Sequence, residues 1–197
     1  MFTVQDNIDL PPIPEELCQR ALDIVSGEGF DRIVYRSGEN YFYIRAVDEA
    51  IEQWVRENIT NQYYKVGVQH TTGDLYPHVD GPDMEHKIRS YVLLYTIETG
   101  GEDGVDPDTI SYKTPEGVAF NEKLVVRHLL FRKNPSRTNP GLTEVKRVKF
   151  KKGTWGLLNT QNAHSVEGVK GLRCMVSVSF QDGNEPEFIR KLVDAQQ

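Results

Sequence analysis

Apolar residues recur every three or four positions over residues 15–26, where Leu17, Ala21, Ile24 and Val25 share one face, and the pattern predicts a helix. Pro14 suits its first turn, where a missing N–H has no helical partner to lose, and Gly27 and Gly29 stop it. The stretch before it, Leu10-Pro11-Pro12-Ile13-Pro14, reads as a stiff extended lead-in. Tyr41–Ile44 fits a short strand, and Val47, Ile51, Trp54, Val55 and Ile59 define a second amphipathic helix over 46–59. From Tyr63 the period changes to two. Strands are predicted at 63–70, 75–80, 88–97, 109–113, 124–131, 143–150, 154–160 and 172–180, separated by Gly, Pro, Asn and Asp turns. Asn184, Pro186 and Glu187 form the start signal of a closing helix.

Short strands in that succession predict a β-sandwich or barrel over roughly 62–182, mainly β, with the helices covering one outer face. A chain of 197 residues fits one domain. It divides into N-terminal helical support (1–61), a β core (62–182) and a C-terminal helix (183–197). The net charge of −6 says little about partners. Its distribution says more, because residues 123–152 carry ten basic side chains against one acid, Glu144. Cys18 and Cys174 stand at opposite ends of the chain without a CxxC pair, which fits a reducing compartment. No leader pattern and no run of membrane-spanning length occurs, so a cytoplasmic protein without membrane association is expected.

Candidate chemistry begins at Tyr76-Pro77-His78-Val79-Asp80. Residues two apart on a strand share a face, so His78 and Asp80 can grip one metal ion from one side, and His164 can complete the set. Two histidines and a carboxylate on one face of an ion, with other positions open, is an arrangement suited to Fe(II) that must take up further ligands. In the strand Arg173–Phe180, alternation places Cys174, Val176, Val178 and Phe180 outward against the helices and turns Arg173, Met175, Ser177 and Ser179 inward. A buried guanidinium needs an anion: a bound carboxylate, or a structural Asp or Glu of the core. His86 and His128 read as surface residues.

These residues resemble the 2-oxoglutarate- and Fe(II)-dependent oxygenases built on a double-stranded β-helix (jelly-roll, cupin-like) core. Three features carry the resemblance: His78-Val79-Asp80, His164 followed nine residues on by Arg173, and Tyr95 through Gly100-Gly101-Glu102, which is similar to a stretch of the prolyl hydroxylase branch. The segment Leu157–Thr160 with His164-Ser165-Val166 is also similar to the free amino acid and aspartyl/asparaginyl hydroxylases. The resemblance implies that His78, Asp80 and His164 hold iron, that Arg173 pairs with the distal carboxylate of 2-oxoglutarate, and that O2 is the other cosubstrate, with ascorbate a further candidate. It implies a dioxygenase that hydroxylates a C–H bond and releases succinate and CO2. Two departures stand out. Many relatives carry a tyrosine on the strand before the first ligand, where this chain offers His70, either a similar donor or a core histidine; Tyr95 is the other candidate, with core packing as its alternative. Many also place Ser or Thr two residues after the arginine, where this chain has Met175, leaving Ser177 as a candidate replacement.

For the substrate, residues 98–108 form an acidic, flexible loop expected near the barrel mouth, and loops of this kind select substrates. An amino acid or a peptidyl residue is favoured, proline first. A nucleic-acid demethylase on the same barrel is the second reading, supported by the basic segment 123–152 but lacking a second arginine after Arg173. A non-catalytic jelly-roll binding module is the third.

Overall fold

A computed structural model describes residues 4–27, 32–36, 42–78, 89–113 and 142–196, with the backbone alone for 32–36, 42–45, Tyr76, His78 and Arg89. The strand predicted at 124–131 lies outside the described residues, as do Asp80, His86 and His128.

In chain order the elements are β1 (Val4–Ile8), α1 (Glu15–Ser26), β2 (Arg32–Arg36), β3 (Phe42–Ala46), α2 (Glu49–Asn58), β4 (Lys65–Thr71), β5 (Leu75–His78), β6 (Arg89–Thr99), β7 (Asp108–Lys113), β8 (Thr143–Lys149), β9 (Trp155–Asn159), β10 (Ala163–Glu167), β11 (Arg173–Gln181) and α3 (Glu187–Asp194). The described strands form a seven-stranded sheet in the order β1-β9-β6-β11-β4-β3-β2 and a four-stranded sheet in the order β5-β10-β7-β8, every described pair antiparallel. This is the mainly β sandwich with flanking helices that the periodicity predicted, and its two antiparallel sheets form the jelly-roll core that the resemblance implied.

Strands β2 and β10 were not expected, and three further differences have local reasons. The second helix starts at Glu49, not Ala46, because Ala46 ends β3 and the Asp48 carboxylate accepts the Ile51 N–H at 3.1 Å, capping the helix there. The closing helix starts at Glu187 behind Pro186 without a side-chain cap, while Asn184 accepts a bond from Gln62 at 3.2 Å instead of capping. A strand precedes the Leu10–Pro14 lead-in: β1 has only two apolar residues, but Val4 and Gln5 pair with Leu158 and Leu157 of β9.

Alternation divides the apolar residues into two layers. On the outer face of the large sheet, Val68, Leu93, Trp155, Leu157, Val176, Val178 and Phe180 pack against Ile24, Ile51, Val55 and Ile189 of the helices. Burial of each such side chain stabilises the fold by about 1.5–3 kcal/mol. Trp155 also donates through Nε1 to the Pro11 carbonyl at 2.8 Å, tying down the proline-rich lead-in. Between the sheets a smaller group, Val4, Val92, Leu94, Val148, Phe150, Leu158 and Met175, fills part of the interior. The rest of that interior is polar, and it holds the candidate site.

Candidate active site

The pairing of β5 with β10 sets His78 directly opposite His164, so two metal-ligand candidates separated by 86 positions in the chain become cross-strand neighbours. Directly opposite residues of an antiparallel pair carry their Cβ atoms about 5 Å apart. His164 is buried, and its Nδ1 lies 2.9 Å from the Asn162 carbonyl. A carbonyl only accepts, so Nδ1 carries the proton and Nε2 the lone pair, the tautomer a metal-binding imidazole needs. On its other side β10 pairs with β7, which places His164 opposite Ser111 and Val166 opposite Thr109.

Arg173 begins β11 on the inner face of the large sheet, 5% exposed. Its Nη2 donates to Thr109 Oγ1 at 3.3 Å and points at Met175 Sδ at 3.7 Å, both weak acceptors. Among the described residues no carboxylate is within ion-pair reach of it. Burial pulls the guanidinium down to about 10, opposed by the charge of Asp106. Thr109 beside Arg173 and Ser111 opposite His164 are two residues apart on β7, a rise of about 7 Å. Arg173 and His164 are therefore separated by a span on the scale of a five-carbon diacid.

The backbone near Arg173 is locked. Gly100 adopts a left-handed φ of +76°, and a Cβ there would lie 2.8 Å from Arg173 Cβ, so only glycine fits without displacement. The Gly100 carbonyl accepts from both Lys170 N–H (2.8 Å) and Gly171 N–H (3.0 Å), clamping the β6–β7 loop to the β10–β11 loop. Asp103 (φ 55°) and Gly104 (φ 76°) turn within the Glu102–Val105 bridge, the left-handed pair of a type I′ turn. The acidic loop expected to be flexible near the barrel mouth is thus a hydrogen-bonded turn packed at the Arg173 end of the sandwich.

Other predicted site residues fall elsewhere. His70 pairs with Cys174, on the outer face with Val66 and Val68, so it does not share the interior with Arg173. Burial lowers its pKa. Tyr95 pairs with Val176 and with Trp155, whose ring centroid is 5.1 Å away, and belongs to the helix-side core. Neither shares the inner face with Arg173: Tyr95 lies in the helix-side core, and His70, partly buried, lies on that same outer face. Ser177 does face inward, and it donates to the Gly67 carbonyl of β4 at 3.1 Å. Thr109 and the Asn162 carbonyl were not singled out by the sequence. The first is a lone threonine in a short strand with no motif around it, and the second acts through its backbone.

The basic segment is largely neutralised where it is described. Arg147 pairs with Asp108 (2.9 Å) and Glu144 (2.8 Å), Lys149 with Asp108 (3.2 Å) and Lys152 with Glu98 (2.5 Å).

Buried His164 and Arg173 thus face the interior between two antiparallel sheets, and the fold is that of the double-stranded β-helix. Solved structures with the same fold include the non-haem α-ketoglutarate-dependent carbocyclase SnoK of nogalamycin biosynthesis, at TM-score 0.56 and 12% identity over 90% of this chain and 80% of that one. The non-haem α-ketoglutarate-dependent epimerase SnoN of the same biosynthesis superposes with TM-score 0.52 and 12% identity, over 88% and 75% of the two chains. In a second SnoN structure, a complex with Fe3+, α-ketoglutarate and nogalamycin RO, the values are 0.51 and 12%, over 93% and 82%. No family model and no curated protein matches the sequence. Among the described residues no helix is long and apolar enough to cross a membrane.

Proposed function

We propose that this protein is an Fe(II)- and 2-oxoglutarate-dependent dioxygenase acting as a single domain, with His78, Asp80 and His164 as metal ligands and Arg173 as the anchor of the cosubstrate's distal carboxylate. The observation that carries the reading is Arg173: a buried cation with only a hydroxyl and a thioether as partners among the described residues, bonded to Thr109, which lies two residues along β7 from the residue opposite the buried His164. Bound iron, 2-oxoglutarate and O2 would supply the oxidising power for C–H hydroxylation, with release of succinate and CO2. The chain's own part is to orient His164 through the Asn162 carbonyl, to hold one carboxylate at Arg173, and to exclude water from the interior.

An amino acid or a peptidyl residue is the substrate class, prolyl favoured by the Tyr95 to Glu102 stretch; ascorbate serves as reductant. Ion pairing of Arg147, Lys149 and Lys152 takes support from a nucleic-acid substrate. The free thiols of Cys18 and Cys174 suit a reducing, cytoplasmic setting. Fe(II) binding and succinate release from 2-oxoglutarate in air test the reading. The intact protein should bind about one Fe(II) and release succinate, and His164→Ala should lose both. Equal turnover by the two proteins, or no iron bound by either, refutes the assignment. Amino acid and peptide panels run beside methylated oligonucleotides then sort the substrate classes.

A further inference from the structure

Several buried hydroxyls point into the interior without a hydrogen-bond partner among the described residues, and two of them flank Arg173. Thr71 (4% exposed) is directly opposite Arg173 on β4, and Thr96 (0% exposed) is directly opposite Met175 on β6. A buried hydroxyl that makes no bond costs free energy. Two such groups, on the strands either side of a guanidinium with no carboxylate partner among the described residues, mark a place where a polar ligand belongs.

The chain goes to some length to keep Thr96 there. Thr96 and Thr99 are three positions apart, and in a regular strand they would face opposite sides. In the β6–β11 register Cys174 faces Glu98 and Met175 faces Thr96, so Ile97 is an inserted residue that restores both threonines to the Arg173 side. Thr99 Oγ1 then accepts from the Gly101 N–H at 3.3 Å and Thr109 Oγ1 accepts from Arg173, leaving Thr71 and Thr96 as the unspent hydroxyls around the cation. Met175, between them, offers a sulfur that can accept but not donate. A carboxylate has acceptor sites for about four hydrogen bonds, and one guanidinium edge fills two of them.

We propose that Thr71 and Thr96 donate the remaining hydrogen bonds to the carboxylate that Arg173 holds, so that the anion cradle consists of one cation and two hydroxyls drawn from three adjacent strands. The inference rests on the cosubstrate reading above and names residues which that reading does not. Its consequence is a trade: each hydroxyl weakens the empty protein and strengthens the occupied one.

The test uses Thr71→Val, Thr96→Val and the double variant of the full chain, with 2-oxoglutarate and Mn(II) as probes under anaerobic conditions, and reads thermal midpoint and calorimetric affinity. Valine matches threonine in shape without the hydroxyl. The metal-free variants should melt at or above the wild-type temperature, and each should bind 2-oxoglutarate about tenfold more weakly, since a hydrogen bond to a charged group is worth about that factor. Thr96→Ser, which keeps the hydroxyl, should retain most of the affinity. Unchanged affinity in the double variant would mean that the hydroxyls serve buried water only, and would overturn the inference while leaving the cosubstrate reading intact. A lowered midpoint in the metal-free valine variants would also overturn it, by showing both hydroxyls to be structural. Failure of the wild-type protein to bind 2-oxoglutarate at all would refute the cosubstrate reading and the inference together.

Discussion

Replacing Arg173 with methionine should make the ligand-free protein more stable, an unusual result for deletion of a buried polar side chain. Burial pulls the guanidinium pKa well below its ordinary value, to about 10. At about 1.4 kcal/mol per pKa unit, the folded chain carries a penalty on the order of 3 kcal/mol for keeping this charge. Against that stand the 3.3 Å bond to Thr109 and the 3.7 Å contact with Met175 sulfur, together worth about 1 kcal/mol. The difference, about 2 kcal/mol, is the expected gain from Arg173→Met, whose flexible apolar chain fills much of the same space. In a chain of this length that corresponds to a rise of about 4–8 °C in thermal midpoint. Differential scanning calorimetry in the presence of a chelator, without added 2-oxoglutarate, measures it. With Mn(II) already present, adding 2-oxoglutarate should raise the midpoint of wild type but not of this variant. A fall of several degrees for Arg173→Met would refute the reasoning, because it would mean that the guanidinium is held by a structural carboxylate and is not waiting for one.

Two further outcomes follow from single positions. Gly100→Ala combines a left-handed backbone with a methyl group 2.8 Å from Arg173 Cβ and should cost about 1–3 kcal/mol in urea unfolding while weakening 2-oxoglutarate binding; normal stability and affinity would show that the clamp does not position Arg173. His70 concerns pH. Burial sets its folded pKa below the usual 6.5, so below about pH 6.5 the unfolded chain binds a proton that the folded chain does not, and stability falls as the pH falls through that region. His70→Leu should flatten the loss in urea midpoint between pH 7 and pH 5, and an unchanged slope would exclude His70 as its source.

Much of the sandwich was legible because half-buried strands alternate, and the alternation of β11 placed Arg173 inward with Cys174, Val176 and Val178 facing the helices. Where a strand is buried on both faces the signal vanishes. The run Tyr91–Tyr95 is apolar throughout, so no period said which face Tyr95 takes, and the register with β11 decides it. His70 was within reach, since it continues the Val66, Val68 series on the outer face. Strand β10 escaped notice because only a three-residue turn divides it from β9 and only Ala163 and Val166 of its five residues are apolar, yet it is the strand that brings His164 opposite His78. The threonines around Arg173 could not be grouped from sequence, because they come from three strands and depend on one inserted residue at Ile97.

The division of the apolar residues into two layers bears on how such a protein can diverge. Stability is concentrated on the helix side of the large sheet, where twenty-one of the described residues form the buried cluster, against seven between the sheets. Substitutions that reshape the cavity therefore touch the layer that contributes less to folding. A lineage can exchange one occupant for another while its melting temperature barely moves, whereas drift on the helix-facing layer is penalised at almost every step.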